Sequence, residues 1–110
     1  MPVNEFVCYL SEVFERFGPI QARKMFGGYG IFREGVMFGL VADDTLYLKS
    51  DETIVSHFEA HQLKQFKYRK KDKMVKMSYY MAPDEIFDDL EVAAAWAARS
   101  FEVAHRSRNT

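Results

Sequence analysis

The chain has 110 residues, 48% of them apolar, and 15 Lys and Arg against 16 Asp and Glu, a formal net charge of −1. Such a length and apolar content predict one folded domain that buries a core without metal or disulfide, and they exclude a disordered chain. No stretch approaches the ~18 apolar residues that span a bilayer, the start lacks a cationic, apolar signal segment, and the charge balance gives no general signal for polyanions, so a cytoplasmic protein is expected.

Val3, Phe6, Val7, Leu10, Val13, Phe14 and Phe17 recur with the helical period, which predicts an amphipathic helix over 3–17 closed by Gly18-Pro19. Cys8 lies inside this pattern as the single cysteine. It has no internal disulfide partner, fits a reducing compartment, and is expected buried or half-buried. Ile20 to Lys24 read as a connector. The run Met25-Phe26-Gly27-Gly28-Tyr29-Gly30-Ile31-Phe32 follows, with three glycines in four positions. Gly27 and Gly28 are expected to need special backbone angles, and Gly30 to allow close packing. Neither G-x-x-x-x-G-K-[ST] nor a strand-to-helix G-x-G-x-x-G is present, so the run reads as structural and no nucleotide or other cofactor is expected.

From Tyr29 the period becomes two. Strands over 29–33, 36–42 and 45–49, with turns at Glu34-Gly35 and Asp43-Asp44, predict an antiparallel meander. Gly39 inside the second strand suggests a bulge or close helix packing. Ser50 is placed to cap a second helix that fades near Ala60-His61, with Ile54, Val55 and Phe58 on its apolar side. A second hairpin spans 65–81 around Asp72, with Phe66 and Tyr68 expected to face the core and one face basic. Pro83 ends it, and a short helical turn over 84–87 follows. Asp88 and Glu91 match a capping box for a final helix carrying Trp96 and Phe101, which frays from Ser107. The expected fold is therefore a two-layer α+β domain of order α-β-β-β-α-β-β-α, ordered over about 3–106. A mainly antiparallel five-stranded sheet has helices on one face.

The glycine run, Phe38-Gly39-Leu40-Val41, Leu46-Tyr47-Leu48-Lys49, Ser78-Tyr79-Tyr80 with Pro83, and Trp96-Ala97 resemble the amino-terminal domain of the TfoX/Sxy competence regulators, over about residues 8–106. The resemblance implies the same element order and a fold similar to type III secretion chaperones. It also implies a role in control of competence genes alongside a cyclic-AMP-dependent regulator, and it brings no catalytic set. Longer members carry a second, helical domain, and this chain is read as the first domain standing alone.

Three constellations invite a functional reading. His57 and His61 are four apart on the second helix, but His-Phe-Glu-Ala-His displaces the glutamate of a metalloprotease motif by one position, about 100° around the axis. A solvated helix edge is expected and no metal. The acids Asp84, Glu85, Asp88, Asp89 and Glu91 suit a helix start, and no nucleophile–base pair is visible, so an enzyme is not expected. Residues 64–76 hold Lys64, Lys67, Arg69, Lys70, Lys71, Lys73 and Lys76 against Asp72 alone. This hairpin is read as a contact for an acidic protein partner or for nucleic acid. The leading expectation is a non-catalytic protein-interaction domain with a homodimer as one arrangement. The alternatives are a nucleic-acid module using the basic hairpin, and a small-molecule-binding protein or an enzyme of unrecognised type. Gly27, Gly28, Gly30, Gly39, Pro83 and Trp96 are expected to be structural.

Overall fold

The computed structural model describes residues 4–25 and 27–108, the last by its backbone alone. Phe26 of the glycine run and Val3 of the first predicted helix lie outside the described residues. The chain forms α1 (Glu5–Val13), β1 (Gln21–Met25), β2 (Gly28–Arg33), β3 (Val36–Ala42), β4 (Thr45–Lys49), α2 (Val55–Ala60), β5 (Gln65–Lys70), β6 (Lys73–Met81), a 3-10 turn (Asp84–Phe87) and α3 (Leu90–Arg108). The strands make one antiparallel sheet of order β1-β2-β3-β4-β6-β5.

The sheet has six strands, not five, because the segment read as a connector is β1. Gln21 to Lys24 are all exposed at the sheet edge, so the segment carries no apolar alternation to betray a strand. Its register with β2 runs from Gln21–Phe32 to Met25–Gly28. Gly27 lies in the intervening turn at φ +75, where a side chain is strained. Gly28 does not share that conformation. Its need is room: a Cβ there would collide with the carbonyl oxygen of Val41 on β3. The β2–β3 and β3–β4 turns take positive φ at Glu34 and Gly35 and at Asp43 and Asp44, the hand that matches strand twist.

The helical boundaries also differ from the periodic pattern. α1 stops at Val13, with Asn4 Oδ1 accepting from the Val7 N–H at 3.1 Å. Phe14 and Phe17 are nevertheless buried, carried inward by the turn that follows. The start of α2 is organised by Asp51, not Ser50: its carboxylate accepts from the Thr53 N–H (2.8 Å) and Thr53 Oγ1 (2.5 Å). The cap of α3 is Asp89 rather than Asp88, since Asp89 Oδ1 accepts from the N–H groups of Glu91 (2.9 Å) and Val92 (3.3 Å). A 3-10 turn directly before α3 shifts the cap by one residue. α3 continues through Arg108, beyond the expected fraying point.

All three helices cover one face of the sheet. Phe14 and Phe17 meet Phe38 of β3 with ring centroids 5.7 and 5.1 Å apart. Phe58 of α2 packs on Trp96 of α3 (5.2 Å) and Tyr80 of β6 (5.3 Å). Between the Ile31–Gly39 and Phe32–Met37 pairs β3 carries an extra residue, the bulge that Gly39 suggested. The inward–outward alternation changes phase there. Val36, Phe38 and Val41 belong to the core, and Met37 and Leu40 face away from the helices. Cys8 is exposed on α1, contrary to expectation, because Val7 and Leu10 point the buried stripe elsewhere.

Candidate binding surfaces: a concave apolar face and a basic ribbon

The helix-free face is not a flat polar surface. Pairing places Met25, Phe32, Met37, Leu40, Tyr47, Met77, Tyr79 and Met81 on it. Phe66 and Tyr68, expected in the core, are here too. Phe66 packs on Tyr47 at 4.9 Å and stacks with Tyr68 at 6.3 Å. The reason is the register of β5: Gln65 pairs with the core-facing Tyr80, so the alternation sends Phe66, Tyr68 and Lys70 to the opposite side.

A cleft of about 380 Å³ opens on this face, lined among others by Met25, Met37, Leu40, Phe66, Tyr68 and Met77, with Lys70 as its cation. Met25 sits on one edge strand and Tyr68 on the other. In a flat sheet of this order those edges would stand ~24 Å apart, five spacings of ~4.8 Å. One cleft lined by both means that the sheet curls toward its uncovered side. The bulge in β3 and a second irregularity between Gln65 and Lys67 supply local bends. Methionine lines such a surface with side chains that adapt to irregular partners.

The basic hairpin borders this cleft. β6 pairs with β4 only through Tyr79, Tyr80 and Met81, so most of it has β5 as its sole ladder neighbour. Lys67 stands opposite Lys76 and Lys70 opposite Lys73. The expected single basic face is therefore divided: Lys67, Arg69 and Lys76 share one side, and Lys70 and Lys73 the other. Lys71 occupies the tip at φ 56. All six are exposed, and none makes an ion pair among the described residues.

The remaining structural residues fall where their chemistry requires. A Cβ on Gly30 would press on Phe32, Met25 and Met37, and one on Gly39 on the Tyr47 carbonyl. Pro83 is buried at the entry to the 3-10 turn. Trp96 is 6% exposed, between Phe58, His61 and the Arg99 guanidinium. His57 and His61 lie on the exposed edge of α2 beside that indole. His61 Nδ1 is 3.0 Å from the His57 carbonyl, and among the described residues no group of three His, Cys, Asp or Glu could hold a metal ion.

Two further features had no signature in the sequence. A second hollow, about 540 Å³, lies between α3 and the end of α1 and carries Arg16, Arg33 and Arg106. Each arginine is already paired: Arg16 with Glu91, Arg33 with Glu34 (3.3 Å), and Arg106 with Glu102 (3.0 Å) and Asp51 (3.5 Å). On the helix-free face Lys49 donates to Ser78 Oγ at 2.6 Å and lies 5.2 Å from the Tyr79 ring centroid. Burial lowers the Lys49 pKa, partly offset by the Asp51 charge, and burial pushes the Tyr79 phenol up to about 12. A serine beside a lysine resembles a nucleophile–base pair. Here neither residue lines either hollow, and lysine and serine join neighbouring strands as an ordinary cross-strand contact.

A curled antiparallel sheet, covered by helices on one side and bare and apolar on the other, defines the architecture. The model of the TfoX N-terminal domain matches residues 12–104. The chain belongs to that family, and the match takes in the glycine run, the cleft and the whole basic hairpin. Among curated relatives, it is 35% identical over 78 residues to the DNA transformation protein TfoX1 of Aliivibrio fischeri, covering 67% of this chain and 37% of the relative. It is 23% identical over 100 residues to the protein Sxy of Escherichia coli, covering 91% of this chain and 48% of the relative. The chain thus spans half or less of the length of the curated relatives it matches. Among the described residues no helix is long and apolar enough to cross a membrane.

Proposed function

We propose that the chain is a non-catalytic, cytoplasmic protein-interaction domain of a competence-related regulator. The observation that carries this reading is the concave face: a methionine- and aromatic-lined cleft of about 380 Å³, uncovered by any described helix and edged by Lys70. A contiguous apolar surface with no covering element, here mostly half-buried with Tyr68 exposed, marks an interaction site. Its lining favours a partner segment that inserts large apolar side chains and sets acidic residues against Lys70 and the neighbouring Lys73. The non-catalytic part of the reading is supported by the position of the perturbed groups, of which Lys49, Asp51 and Tyr79 neighbour one another away from the cleft. Lys49, Asp51, Tyr79 and Arg99 do not converge on the cleft. Family membership and the names of the two relatives support the competence-related part.

The test is selection of a random peptide library on the immobilised domain, followed by affinity measurement on wild type and Met77→Glu. Enriched peptides should combine large apolar residues with Asp or Glu. They should lose at least ~10-fold in affinity when a charge enters the half-buried Met77 position, the effect of a ~1.4 kcal/mol loss. Failure to enrich any sequence, or peptides indifferent to Met77→Glu with the fold intact, would remove the cleft as the interaction site.

A further inference from the structure

We propose that the β5–β6 hairpin is a duplex-DNA contact, a two-stranded ribbon that enters the major groove and neutralises backbone phosphates on its two sides. The ribbon shares Tyr68 and Lys70 with the lining of the cleft, and the proposal does not depend on a protein partner being seated there.

Four observations carry it. The hairpin stands free of the sheet for most of its length, since only Tyr79, Tyr80 and Met81 of β6 pair with β4. A two-stranded ribbon is one of the shapes that the ~12 Å major groove admits. Here one side borders the cleft through Tyr68 and Lys70, which are themselves exposed, and the other is exposed at Lys67, Arg69 and Lys76. Its cations are divided between those faces, Lys67, Arg69 and Lys76 on one and Lys70 and Lys73 on the other, so a ribbon seated in the groove presents charge to both phosphate walls.

The charges are also placed against the interest of the fold. Like charges directly opposite one another in an antiparallel pair are destabilising. The ribbon has two such pairs, Lys67–Lys76 and Lys70–Lys73, with no carboxylate ion-paired to any of the four among the described residues. Lysine on an exposed edge also blocks strand-to-strand aggregation. That purpose extends to Lys73 and Lys76, because β6 over 73–78 has no ladder neighbour except β5, but it gives no reason to set lysine directly opposite lysine. A polyanion lying along the ribbon removes both repulsions at once.

Apart from Asp72 in its turn, the acids that could neutralise the ribbon are elsewhere. Glu85 and Glu91 belong to the 3-10 turn and the start of α3, where they approach His61 (3.8 Å) and Arg16. A chain of net charge −1 is thereby left with a strongly cationic projection. Tyr68 and Met74, 39% and 56% exposed, lie among the cations and offer apolar contact to sugars and base edges once the phosphates have set the register.

Fluorescence anisotropy with a labelled duplex tests the idea on three proteins: wild type, Lys73→Glu and Arg16→Glu. The two variants change the net charge equally, but only the first lies on the ribbon. Three neutralised phosphates give a slope near −2.7 in log affinity against log salt, so wild-type binding should weaken by about 40-fold or more between ~50 and ~200 mM salt. Lys73→Glu should reduce that slope by about 1 and weaken binding, while Arg16→Glu should leave both nearly unchanged. Lys73→Glu should also raise the urea midpoint, because it turns a Lys–Lys pair into a Glu–Lys pair. A gain in stability together with a loss of affinity cannot arise from damage to the fold. The proposal is overturned by no saturable binding at ~50 mM salt up to ~100 μM protein, by a salt-independent affinity, or by equal losses in both variants. A preference for poly-glutamate over the duplex would assign the ribbon to an acidic protein and equally overturn it.

Discussion

At the scale of the residue, burial decides which side chains matter most. Trp96 contacts Phe58 and His61 and is almost fully enclosed. Trp96→Ala removes a large buried ring and leaves a cavity, so it should cost ~3–5 kcal/mol, read as a lower urea midpoint. An unchanged midpoint would place the indole outside the cooperative core. Tyr79 gives a pH signature of the same packing. Its phenol is pushed up to about 12 by burial, against an ordinary value of 10.0. The folded state therefore resists an ionisation that the unfolded chain accepts. This contribution is intact below pH ~10 and is lost as pH rises toward ~12, at up to ~1.4 kcal/mol per pH unit. Urea midpoints taken across that window should fall more steeply for wild type than for Tyr79→Phe. Parallel curves would mean that the phenol is hydrated.

Elements are held by local chemistry whose exact register matters. Asp88 and Asp89 are adjacent carboxylates at the same helix start, and only Asp89 accepts from the N–H groups of α3. Asp89→Ala should cost ~1 kcal/mol, the usual cost of losing a cap, and Asp88→Ala only a few tenths from the helix dipole. Equal effects would mean that charge, not hydrogen bonding, does the capping. The same adjacency explains why the sequence pattern selected Asp88: it stands three residues before Glu91, the spacing of a capping box. The 3-10 turn occupying Asp84–Phe87 moves the true start one residue on. The strand β1 was illegible for a related reason. An edge strand exposed on both sides has no buried face to impose a period of two, so Gln21–Met25 looks like a loop until its partner is known.

For the whole molecule, the governing feature is a sheet covered on one side only. Without a partner, the apolar face should drive weak self-association, because hydrophobic patches of this kind rarely remain solvated. Sedimentation at ~100 μM should give a mass above one 12.8 kDa chain, falling to a single chain in Met77→Glu. A wild-type mass of one chain at that concentration would show that the face does not close on a second copy. The ribbon meets that face at Tyr68 and Lys70, and the two modes of binding differ in their response to salt. Apolar docking is nearly insensitive to salt, whereas phosphate contacts weaken steeply.

Helix and strand periods, turn residues and the glycine run determined by themselves the element order, β1 excepted, and most strand boundaries, because those signals are local and a burial pattern repeats within a few residues. The cluster of cations over 64–76 was legible in the same way, as a run of like charge offset by the acids over 84–91. Tertiary structure alone decided the rest. Phe66 and Tyr68 face away from the helices because β5 pairs with β6 in a particular register, and one step of slip would reverse them. The cleft exists because the sheet curls, bringing Met25 and Tyr68 from opposite edges to one hollow, a contact between residues far apart in the chain. The basic hairpin became a free ribbon because β4 ends early and leaves β6 without a second neighbour. Register, curvature and strand length relative to a neighbour are relations between segments, and no single segment encodes them.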